Sequence, residues 1–233
     1  MQSREPSVSI VVPCYNEREN LPAVLDALLT WGRGAIVRSV LSQFEIVVID
    51  DGSVDGSTAQ LAVASEVRVV AHAKNLGLTA ALRTGFSSAT CEFVTWVPAD
   101  GQIRPDAIEA LLLARRHDEP LVISTYAHRP DGLVRAVMSK TARLFVHALI
   151  GFGGRLEGIY LFRRSLLEEI DLVSSRSAGI VAFELAAKVQ RSGHAIATTE
   201  IDCLPRRSGR SKVADARNVA TFIAELLKIR ASF

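Results

Sequence analysis

The sequence predicts an α/β fold in which helices flank one mostly parallel β-sheet within a single domain. Three observations indicate this fold: short apolar runs alternate with amphipathic helical patterns, each apolar run ends in a polar loop, and no linker or repeat divides the chain. The 233 residues are 48% hydrophobic and 22% charged, which excludes a disordered chain, collagen and a coiled coil. Single α/β domains commonly reach this length.

The first half of the chain alternates predicted strands with predicted helices. Apolar runs predict strands at residues 7–12, 44–49, 67–71 and 93–97. Helices are predicted to begin at Asn20, whose side chain can cap the first turn, near Leu78, and at Pro105. Since each helix returns the chain to the start of another strand, right-handed crossovers and a parallel sheet follow.

The second half has a less regular pattern. It predicts a strand at residues 121–124, a basic amphipathic helix at 133–149, a helix at 180–192, a strand at 195–201 and a terminal helix at 218–230. Near the end of the basic helix, one apolar face is predicted to contain Leu144, Phe145, Ala148 and Leu149. This face is expected to meet the core or a membrane, and the opposite face, with Arg143, is expected to be basic.

Composition and simple motifs exclude several classes of protein. A net charge of +2 provides no field that would hold a polyanion, so nucleic acid is not an expected partner. Neither GxGxxG nor GxxxxGK occurs, which argues against a dinucleotide oxidoreductase and a P-loop NTPase. Three widely spaced cysteines predict no disulfide framework, and the chain shows no signal peptide or long apolar span. A cytoplasmic protein is expected, with at most peripheral contact with the cytoplasmic face of a membrane.

Polar residues follow three of the predicted strands. Tyr15 and Glu17 come after the first strand, Asp50 and Asp51 after the second, and Asp100 after the fourth. In open parallel sheets, ligands bind beyond the carboxyl ends of the strands. A tyrosine ring beside carboxylates suits a flat heterocycle, because the ring can stack and a carboxylate can accept an imino N–H.

The same loops have a structural alternative. Asn16 and Asp55 can cap helices, and Gly52 and Gly56 can form turns. For Asp51, which stands at the end of a strand, the sequence favours ligand binding over a structural role.

Two features can neutralise the phosphates of a ligand. Asp100 with Gln102 supplies oxygen atoms for a hard divalent cation. A second feature is a cluster of four cations within seven positions, namely Arg206, Arg207, Arg210 and Lys212. Cations this close repel one another unless an anion binds between them, so the cluster indicates a phosphate site. Its alternative is a solvated basic loop.

Five motifs in a fixed order carry a resemblance to a known family. They are VVPCYNERENLP, EIVVIDDGSVDGS, the NLG of residues 75–77, the Asp-Gly-Gln loop at Asp100, and PRRSGRSK. Together they resemble the inverting family 2 glycosyltransferases of GT-A fold, which is Rossmann-like, and among them the dolichyl- and polyprenyl-phosphate sugar synthases. The resemblance covers about residues 7–215. It implies a nucleotide-sugar-binding half at about 7–115 and an acceptor-binding half at about 116–215.

The resemblance also implies roles for individual residues on the donor side. A UDP- or GDP-linked sugar would be held by Pro13, Tyr15, Glu17, Asp50 and Asp51. Asp100 and Gln102 match the metal-binding positions of the family, which implies Mg²⁺ or Mn²⁺ as cofactor.

Catalysis and acceptor binding are assigned by the same resemblance. The catalytic residues would be Asp100, Arg206 and Lys212, because the two cations belong to a loop that closes over the donor phosphates. The acceptor phosphate would meet Arg135, Ser139 and Lys140. Glu184 matches a glutamate inside a helix, and its implied role is structural.

Two departures from the family pattern affect the chemistry. Pro98 stands where the family has the first aspartate of its metal motif, so one carboxylate, that of Asp100, remains. Residues 177–180 contain no carboxylate, whereas many members of the family carry a base there. An acceptor phosphate is already ionised at pH 7 and needs no base, so this absence favours a lipid phosphate.

The predicted function is inverting transfer of a sugar from a nucleoside-diphosphate sugar to a polyprenyl or dolichyl phosphate, or to a related phosphorylated acceptor. Two alternatives stay open at this point. One is the same fold acting on a soluble hydroxyl acceptor in natural-product or cell-envelope glycan biosynthesis. The other is a catalytically weakened nucleotide-sugar-binding protein, which Pro98 motivates.

Overall fold

The computed structural model describes most of the chain. The described residues are 5–59, 61, 64–115, 119–127, 143–175, 179–204 and 216–233, with the backbone alone for 216–219. Five residues that the sequence assigns to the site lie outside these ranges, namely Arg135, Ser139, Lys140, Arg206 and Lys212.

Seven strands form one sheet. They are β1 (Ser7–Cys14), β2 (Gln43–Asp50), β3 (Val67–Ala71), β4 (Phe93–Trp96), β5 (Leu121–Tyr126), β6 (Tyr160–Arg163) and β7 (Ile196–Ile201). Their order is β3-β2-β1-β4-β6-β5-β7, and only β6 runs antiparallel to its two neighbours. The predicted mostly parallel sheet is thereby confirmed.

The sheet has one edge at which six strands end and β6 begins, called the carboxyl edge below. The strand order reverses beside β1, because β2 lies on one side of it and β4 on the other. Such a reversal opens a crevice at the carboxyl edge, where α/β folds bind ligands. The loops after β1, β2 and β4 therefore surround the crevice.

Helices cover both faces of the sheet. They are α1 (Leu21–Val37), α2 (Leu78–Ser88), α3 (Asp106–Ala114), α4 (residues 143–150), α5 (Leu166–Glu169), α6 (Ile180–Arg191) and α7 (Ala216–Ala231). One apolar core lies between the sheet and α2, α4, α6 and α7, and the other lies between the sheet and α1 and α3. Every central strand is therefore buried on both faces, as its nearly continuous apolar sequence predicts.

One prediction about local structure is wrong, and for another the structure excludes the first of its two alternatives, the core and a membrane, at Leu144 and Phe145. Asn20 stands at the N-cap of α1 in a helical conformation and makes no capping bond with its side chain, which donates instead to Glu17 Oε2 over 2.8 Å. On α4, Leu144 and Phe145 are 64% and 45% exposed, whereas Val146 and Ile150 are buried. Two apolar stripes fit the sequence of this helix, and packing against the core selects the stripe that contains Val146.

Close packing of α2 on β1 depends on one glycine. A Cβ atom at Gly85 would overlap the side chain of Val11, which lies in the middle of β1. Gly34, by contrast, is half-buried on α1, and its Cβ would meet only the flexible end of Arg38, at 3.3 Å. Glycine loses more backbone entropy than alanine when a helix forms, and this cost applies at both positions. Packing requires glycine only at position 85.

We expect opposite effects from alanine at these two positions. Gly85→Ala should lower the free energy of unfolding by about 1–3 kcal/mol because the added methyl group overpacks the core. Gly34→Ala should raise it by about 0.5–1 kcal/mol because alanine restricts the unfolded chain. Urea unfolding followed by circular dichroism measures both. Equal effects of the two substitutions would contradict the packing described here.

A buried carboxylate holds the segment that leads to α6. Glu184 is fully buried, accepts hydrogen bonds from the backbone N–H groups of Val173 (2.7 Å) and Ser174 (2.9 Å), and pairs with Lys188 at 2.9 Å. Burial alone would raise the pKa of Glu184, but the hydrogen bonds from Ser174, Val173 and Lys188 outweigh it and hold the pKa below its usual value. The structural role implied for Glu184 agrees with these contacts.

Removal of this carboxylate should be strongly destabilising. Glu184→Ala leaves the Lys188 ammonium and two backbone N–H groups without their partner, so the free energy of unfolding should fall by about 3 kcal/mol. Glu168→Ala, at an exposed carboxylate of α5, is the matched control and should have little effect. Urea unfolding of the native protein and of the two variants measures these changes in the free energy of unfolding.

The same contribution should depend on pH. A folded-state pKa below the unfolded value of about 4.5 means that the stabilisation is complete at neutral pH and is lost as the pH falls through the folded-state pKa. The stability difference between the native protein and Glu184→Gln should therefore shrink on acidification below about pH 4.5. A difference that stays constant or grows would show that Glu184 is not held as a carboxylate.

Candidate active site

The loops after β1 and β2 are joined by side chains. Asp51 N–H first extends the strand ladder by donating to the Cys14 carbonyl over 2.8 Å. Beyond that point four bonds join the loops: Asn16 N to Ser53 Oγ (3.1 Å), Val54 N to Asn16 Oδ1 (3.0 Å), Glu17 N to Ser57 Oγ (2.9 Å) and Arg18 N to Asp55 Oδ2 (3.0 Å). The two loops therefore form a single unit at the carboxyl edge.

These bonds decide between the two readings of the loop residues. Asn16 bonds across the loops and caps no described helix, so its predicted helix-capping role is wrong. Asp55 bonds across the loops through Oδ2 and accepts the Ser57 N–H through Oδ1 over 2.9 Å. Asn16 has a φ of 56°, a left-handed conformation that asparagine tolerates, which lets its side chain reach Val54. Gly52 and Gly56 have φ values of 73° and 75° and form the predicted turns.

The predicted contacts from β1 lie at the rim of the crevice. Tyr15 is exposed there, and Pro13 and Glu17 are half-buried. Cys14, between them, is buried, and burial raises the pKa of its thiol to about 11. Cys14 is therefore a neutral thiol at pH 7 and not a nucleophile.

Asp50 is a buried carboxylate that shapes the loop after β2. Its Oδ1 accepts the Ser53 N–H over 2.8 Å and its Oδ2 accepts the Thr58 hydroxyl over 2.6 Å. Burial would raise the pKa of Asp50, but the hydrogen bonds from Thr58 and Ser53 hold it below its usual value. Asp50 is thus ionised and holds the turn, while its predicted contact with the donor stays a prediction.

Asp51 is buried beside the loop between β3 and α2. Its Oδ1 lies 2.7 Å from His72 Nδ1 and accepts the Leu76 N–H over 2.9 Å, and its Oδ2 accepts the Gly77 N–H over 2.8 Å. The NLG motif at residues 75–77 therefore presents its backbone to Asp51. The sequence signal for His72 is only its position one residue after β3, which explains why the sequence analysis did not select it.

The turn after β4 carries the predicted metal site. Val97 N–H donates to the Val11 carbonyl over 2.9 Å, which holds the start of this turn on β1. Asp100 Oδ1 then accepts the Gln102 N–H over 3.1 Å, and Gly101 has a φ of 71°. Asp100 is half-buried and thus stands in the crevice beside β1.

Gln102 joins this turn to the chain after β7. The Leu204 N–H donates to the Gln102 carbonyl over 2.9 Å, and Gln102 Nε2 donates to the Leu204 carbonyl over 3.1 Å. Leu204 is the last described residue before the gap at 205–215, which contains Arg206 and Lys212. The chain therefore enters the basic segment at the Asp100 turn.

The described residues offer few groups to a metal ion. Within the described ranges, no group of three or more His, Cys, Asp or Glu side chains is arranged to hold one. Pro98 removes one carboxylate, so the donor set at the turn is that of Asp100 with the amide oxygen of Gln102. Mg²⁺ and Mn²⁺ fit such a set when ligand phosphates complete the coordination, since Mg²⁺ is often bound through one or two carboxylates and substrate phosphates.

On the acceptor side, Glu157 is a charged group that sequence reasoning missed. It lies just before β6 and accepts the Tyr126 N–H at the end of β5 over 3.4 Å. Arg143 of α4 and Arg155 approach it to 3.7 and 3.2 Å. Arg143, predicted to belong to a free basic face, thus pairs with a carboxylate. The sequence signal that could have identified Glu157 is its position as a single glutamate just before Gly158 and the apolar residues 159–162.

Carboxylates close to the start of α6 are engaged in structural bonds. Glu184 binds the backbone of residues 173 and 174, and Glu225 of α7 accepts the Ser175 N–H over 2.6 Å. Gly179, with a φ of 77°, begins the helix. No helix in the described part of the chain is long and apolar enough to cross a membrane.

Two curated proteins illustrate what the sequence is similar to. Polyprenol monophosphomannose synthase from Mycolicibacterium smegmatis is 32% identical over 222 residues, which cover 88% of this chain and 80% of that protein. Undecaprenyl-phosphate 4-deoxy-4-formamido-L-arabinose transferase from Yersinia pestis is 30% identical over 189 residues, which cover 77% of this chain. The matched region spans only 56% of the Yersinia pestis protein.

Solved structures share the fold. Glucosyl-3-phosphoglycerate synthase from Mycobacterium tuberculosis in complex with UDP superposes with a TM-score of 0.72 at 23% identity, over 97% of this chain and 80% of that chain. The same enzyme in complex with Mn²⁺, UDP-glucose and phosphoglyceric acid gives a TM-score of 0.70 at 22% identity, over 97% of this chain and 79% of that chain.

The family model described as "Glycosyl transferase family 2" matches residues 9–171, which is more than half of the chain. This match covers β1 to β6 and therefore the loops that surround the crevice. Together with the sheet order and the relatives, it confirms the resemblance seen in the five sequence motifs. The chain belongs to glycosyl transferase family 2 and is a glycosyltransferase of GT-A fold.

Proposed function

We propose that this glycosyltransferase moves a sugar, with inversion, from a UDP- or GDP-linked donor to a polyprenyl or dolichyl phosphate. The observation that carries the proposal is the pair of hydrogen bonds between Gln102 and Leu204, because they bring the acidic turn and the start of the basic segment together at the carboxyl edge. The printed names of the two relatives, a polyprenol monophosphomannose synthase and an undecaprenyl-phosphate sugar transferase, support this acceptor class.

Donor binding uses the joined loops after β1 and β2. In the proposal, Tyr15 and Glu17 of the loop after β1 contact the base and the ribose. Asp51, at the end of β2, accepts an N–H of the base. The diphosphate then lies over the Asp100 turn. The bonds that join the two loops hold these groups in place before the donor arrives, which reduces the entropy lost on binding.

Transfer is a single displacement. An acceptor oxygen attacks the anomeric carbon from the face opposite the nucleoside diphosphate, the new C–O bond forms, and the electron pair of the breaking C–O bond leaves with the diphosphate. Arg206 and Lys212 stabilise the charge that develops on this leaving group. Asp100, with Gln102, would hold a Mg²⁺ or Mn²⁺ ion, which when bound neutralises part of the diphosphate charge.

Proton transfer distinguishes phosphate acceptors from alcohol acceptors. Residues 177–183 contain no carboxylate, and the nearest buried ones, Glu184 and Glu225, are bonded to the backbone. An alcohol would need a base to take its proton, whereas a phosphate monoester with a second pKa near 6 is largely ionised at pH 7. The site therefore favours a lipid phosphate over the soluble hydroxyl acceptor.

One observation favours a second candidate, a nucleotide-sugar-binding protein with weakened catalysis. Pro98 leaves the Asp100 turn with a single carboxylate. If this loss abolishes transfer, Pro98→Asp should create metal-dependent activity that the native protein lacks. If the native protein already transfers sugar, Pro98→Asp should change the metal requirement and not the existence of activity.

Membrane contact is the remaining part of the proposal. Leu144 and Phe145 form an exposed apolar patch on α4, and the predicted basic residues Arg135 and Lys140 precede this helix in the sequence. An amphipathic helix with apolar and cationic residues binds at the interface of anionic membranes. We propose that the α4 patch, Leu144 with Phe145, rests on the cytoplasmic face of the membrane that supplies the lipid phosphate.

The first test of this function changes the acidic turn. Asp100→Asn should lower kcat/KM for sugar transfer to polyprenyl phosphate by about 100-fold, because the leaving diphosphate loses stabilisation. Asp106→Asn, an exposed aspartate at the start of α3, is the matched control and should keep native activity. Transfer is measured with UDP- and GDP-linked sugars, with and without EDTA.

The outcomes of this assay separate the alternatives. Loss of activity with EDTA, and its return with Mg²⁺ or Mn²⁺, is expected. Transfer only to a soluble alcohol acceptor would reject the lipid phosphate. Absence of both binding and turnover with every nucleotide sugar would reject the function as a whole.

The second test changes the α4 patch. Leu144→Ser combined with Phe145→Ser should weaken partitioning onto vesicles of phosphatidylcholine and phosphatidylglycerol by at least about tenfold, because two apolar side chains no longer enter the bilayer. Val37→Ser combined with Leu113→Ser removes two apolar residues that are still more exposed, on the other side of the sheet, and is the control. Sedimentation with vesicles measures both. Equal partitioning of the two double variants would place the contact elsewhere.

A further inference from the structure

His72 connects the end of β2 to helix α2. Its Nδ1 lies 2.7 Å from Asp51 Oδ1, and its Nε2 lies 2.9 Å from Thr84 Oγ1. The side chains of His72 and Asp51 are 10% and 4% exposed, so water does not replace these bonds. The His72 N–H also donates to the Asp50 carbonyl over 2.8 Å, which attaches its backbone to the same strand end.

The hydrogen bonds of Asp51 can be counted. An ionised carboxylate has about four acceptor sites, two on each oxygen. Oδ1 uses both of its sites, for His72 Nδ1 and the Leu76 N–H, and Oδ2 uses one for the Gly77 N–H. One acceptor site therefore remains, and it is on Oδ2.

The bond from His72 determines which oxygen keeps that site. A carboxylate only accepts, so Nδ1 donates in the bond to Asp51, and Nε2 is hydrogen-bonded to the Thr84 hydroxyl. Rotation of the carboxylate would break the bonds to His72 and to two backbone N–H groups together. The loop that contains Lys74 also packs directly on the turn after β2, since a Cβ atom at Gly52 would lie 2.5 Å from the Lys74 carbonyl carbon.

We propose that His72 is a positioning residue for the donor: it holds the Asp51 carboxylate so that its one remaining acceptor site faces the nucleobase and selects bases that present a ring N–H. Uracil and guanine present such a group, whereas cytosine and adenine present an unprotonated ring nitrogen that would meet the carboxylate lone pair. This inference rests on the proposed donor site. A site that hydrogen-bonds a ligand N–H rejects analogues lacking it, because the buried acceptor is left unpaired.

Two substitutions of His72 separate positioning from simple packing. Asparagine places its amide nitrogen where Nδ1 lies, so His72→Asn keeps the donor to Asp51. Glutamine is one carbon longer and places its amide where Nε2 lies, so His72→Gln keeps the contact with Thr84 and loses the bond to Asp51. Both are polar and similar in size, and His194→Gln at an exposed histidine is the distant control.

The experiment measures binding of UDP, GDP, CDP and ADP to the full chain by titration calorimetry. The native protein should bind UDP or GDP at least about 100-fold more tightly than CDP and ADP, since the latter leave the acceptor unpaired. His72→Asn and His194→Gln should keep this ratio within about threefold, and His72→Gln should reduce it to below about tenfold. In turnover, His72→Gln should raise KM for the donor with kcat little changed, which a general loss of folded protein would not produce.

Each outcome bears on one of the two proposals. Equal ratios for His72→Asn and His72→Gln would overturn the positioning role. Tight binding of CDP or ADP by the native protein would overturn it as well and leave sugar transfer intact, whereas no binding of any nucleotide would reject the proposed function itself. If neither variant folds, the ratio measured with the native protein still decides the inference, because tight binding of CDP or ADP overturns it.

Discussion

The hydrogen bonds between the loops after β1 and β2 determine where the donor-side groups of this enzyme stand. The parallel ladder ends at the pair Cys14 and Asp50, and the bond from Asp51 N–H extends it by one residue. Beyond it, side-chain oxygens of Asn16, Ser53 and their neighbours replace the backbone partners that a strand would supply. These bonds therefore join the two loops at the rim of the crevice, and side chains that point from joined loops need little rearrangement to bind.

Much of this architecture could be predicted because local sequence patterns, namely apolar runs followed by polar loops, indicate it. Short apolar runs indicate the strands, so the edge strand β3 begins and ends where predicted and the other parallel strands shift by only a few residues. The polar loops at the carboxyl edge follow directly from the parallel order. Strand β6 escaped prediction because it lies in the irregular second half of the chain and its position depends on antiparallel pairing with β4 and β5.

What could not be predicted depends on contacts between residues distant in sequence. His72 carries no local signal, and its meaning arises only from Asp51, 21 residues earlier, and Thr84, 12 residues later. On α4, two apolar stripes satisfy the helical period equally, so the pattern alone could not show that Phe145 faces outward. In both cases a tertiary partner overrides a local preference. The cap expected at Asn20 fails for a local reason, because its backbone is helical instead of extended and its side-chain amide donates to Glu17, three residues earlier.

Pro98 changes how the acidic turn can work without changing where it lies. Two carboxylates would attract a cation to the turn before any donor is present, whereas Asp100 alone needs phosphate oxygens to complete a coordination shell. Cation and donor would then bind with mutual dependence, each raising the affinity for the other by the same factor. Such coupling requires that the diphosphate reach both the turn and the chain after β7. The two bonds between Gln102 and Leu204, one between backbone groups and one from the Gln102 side chain, provide that proximity without involving the side chain at position 98.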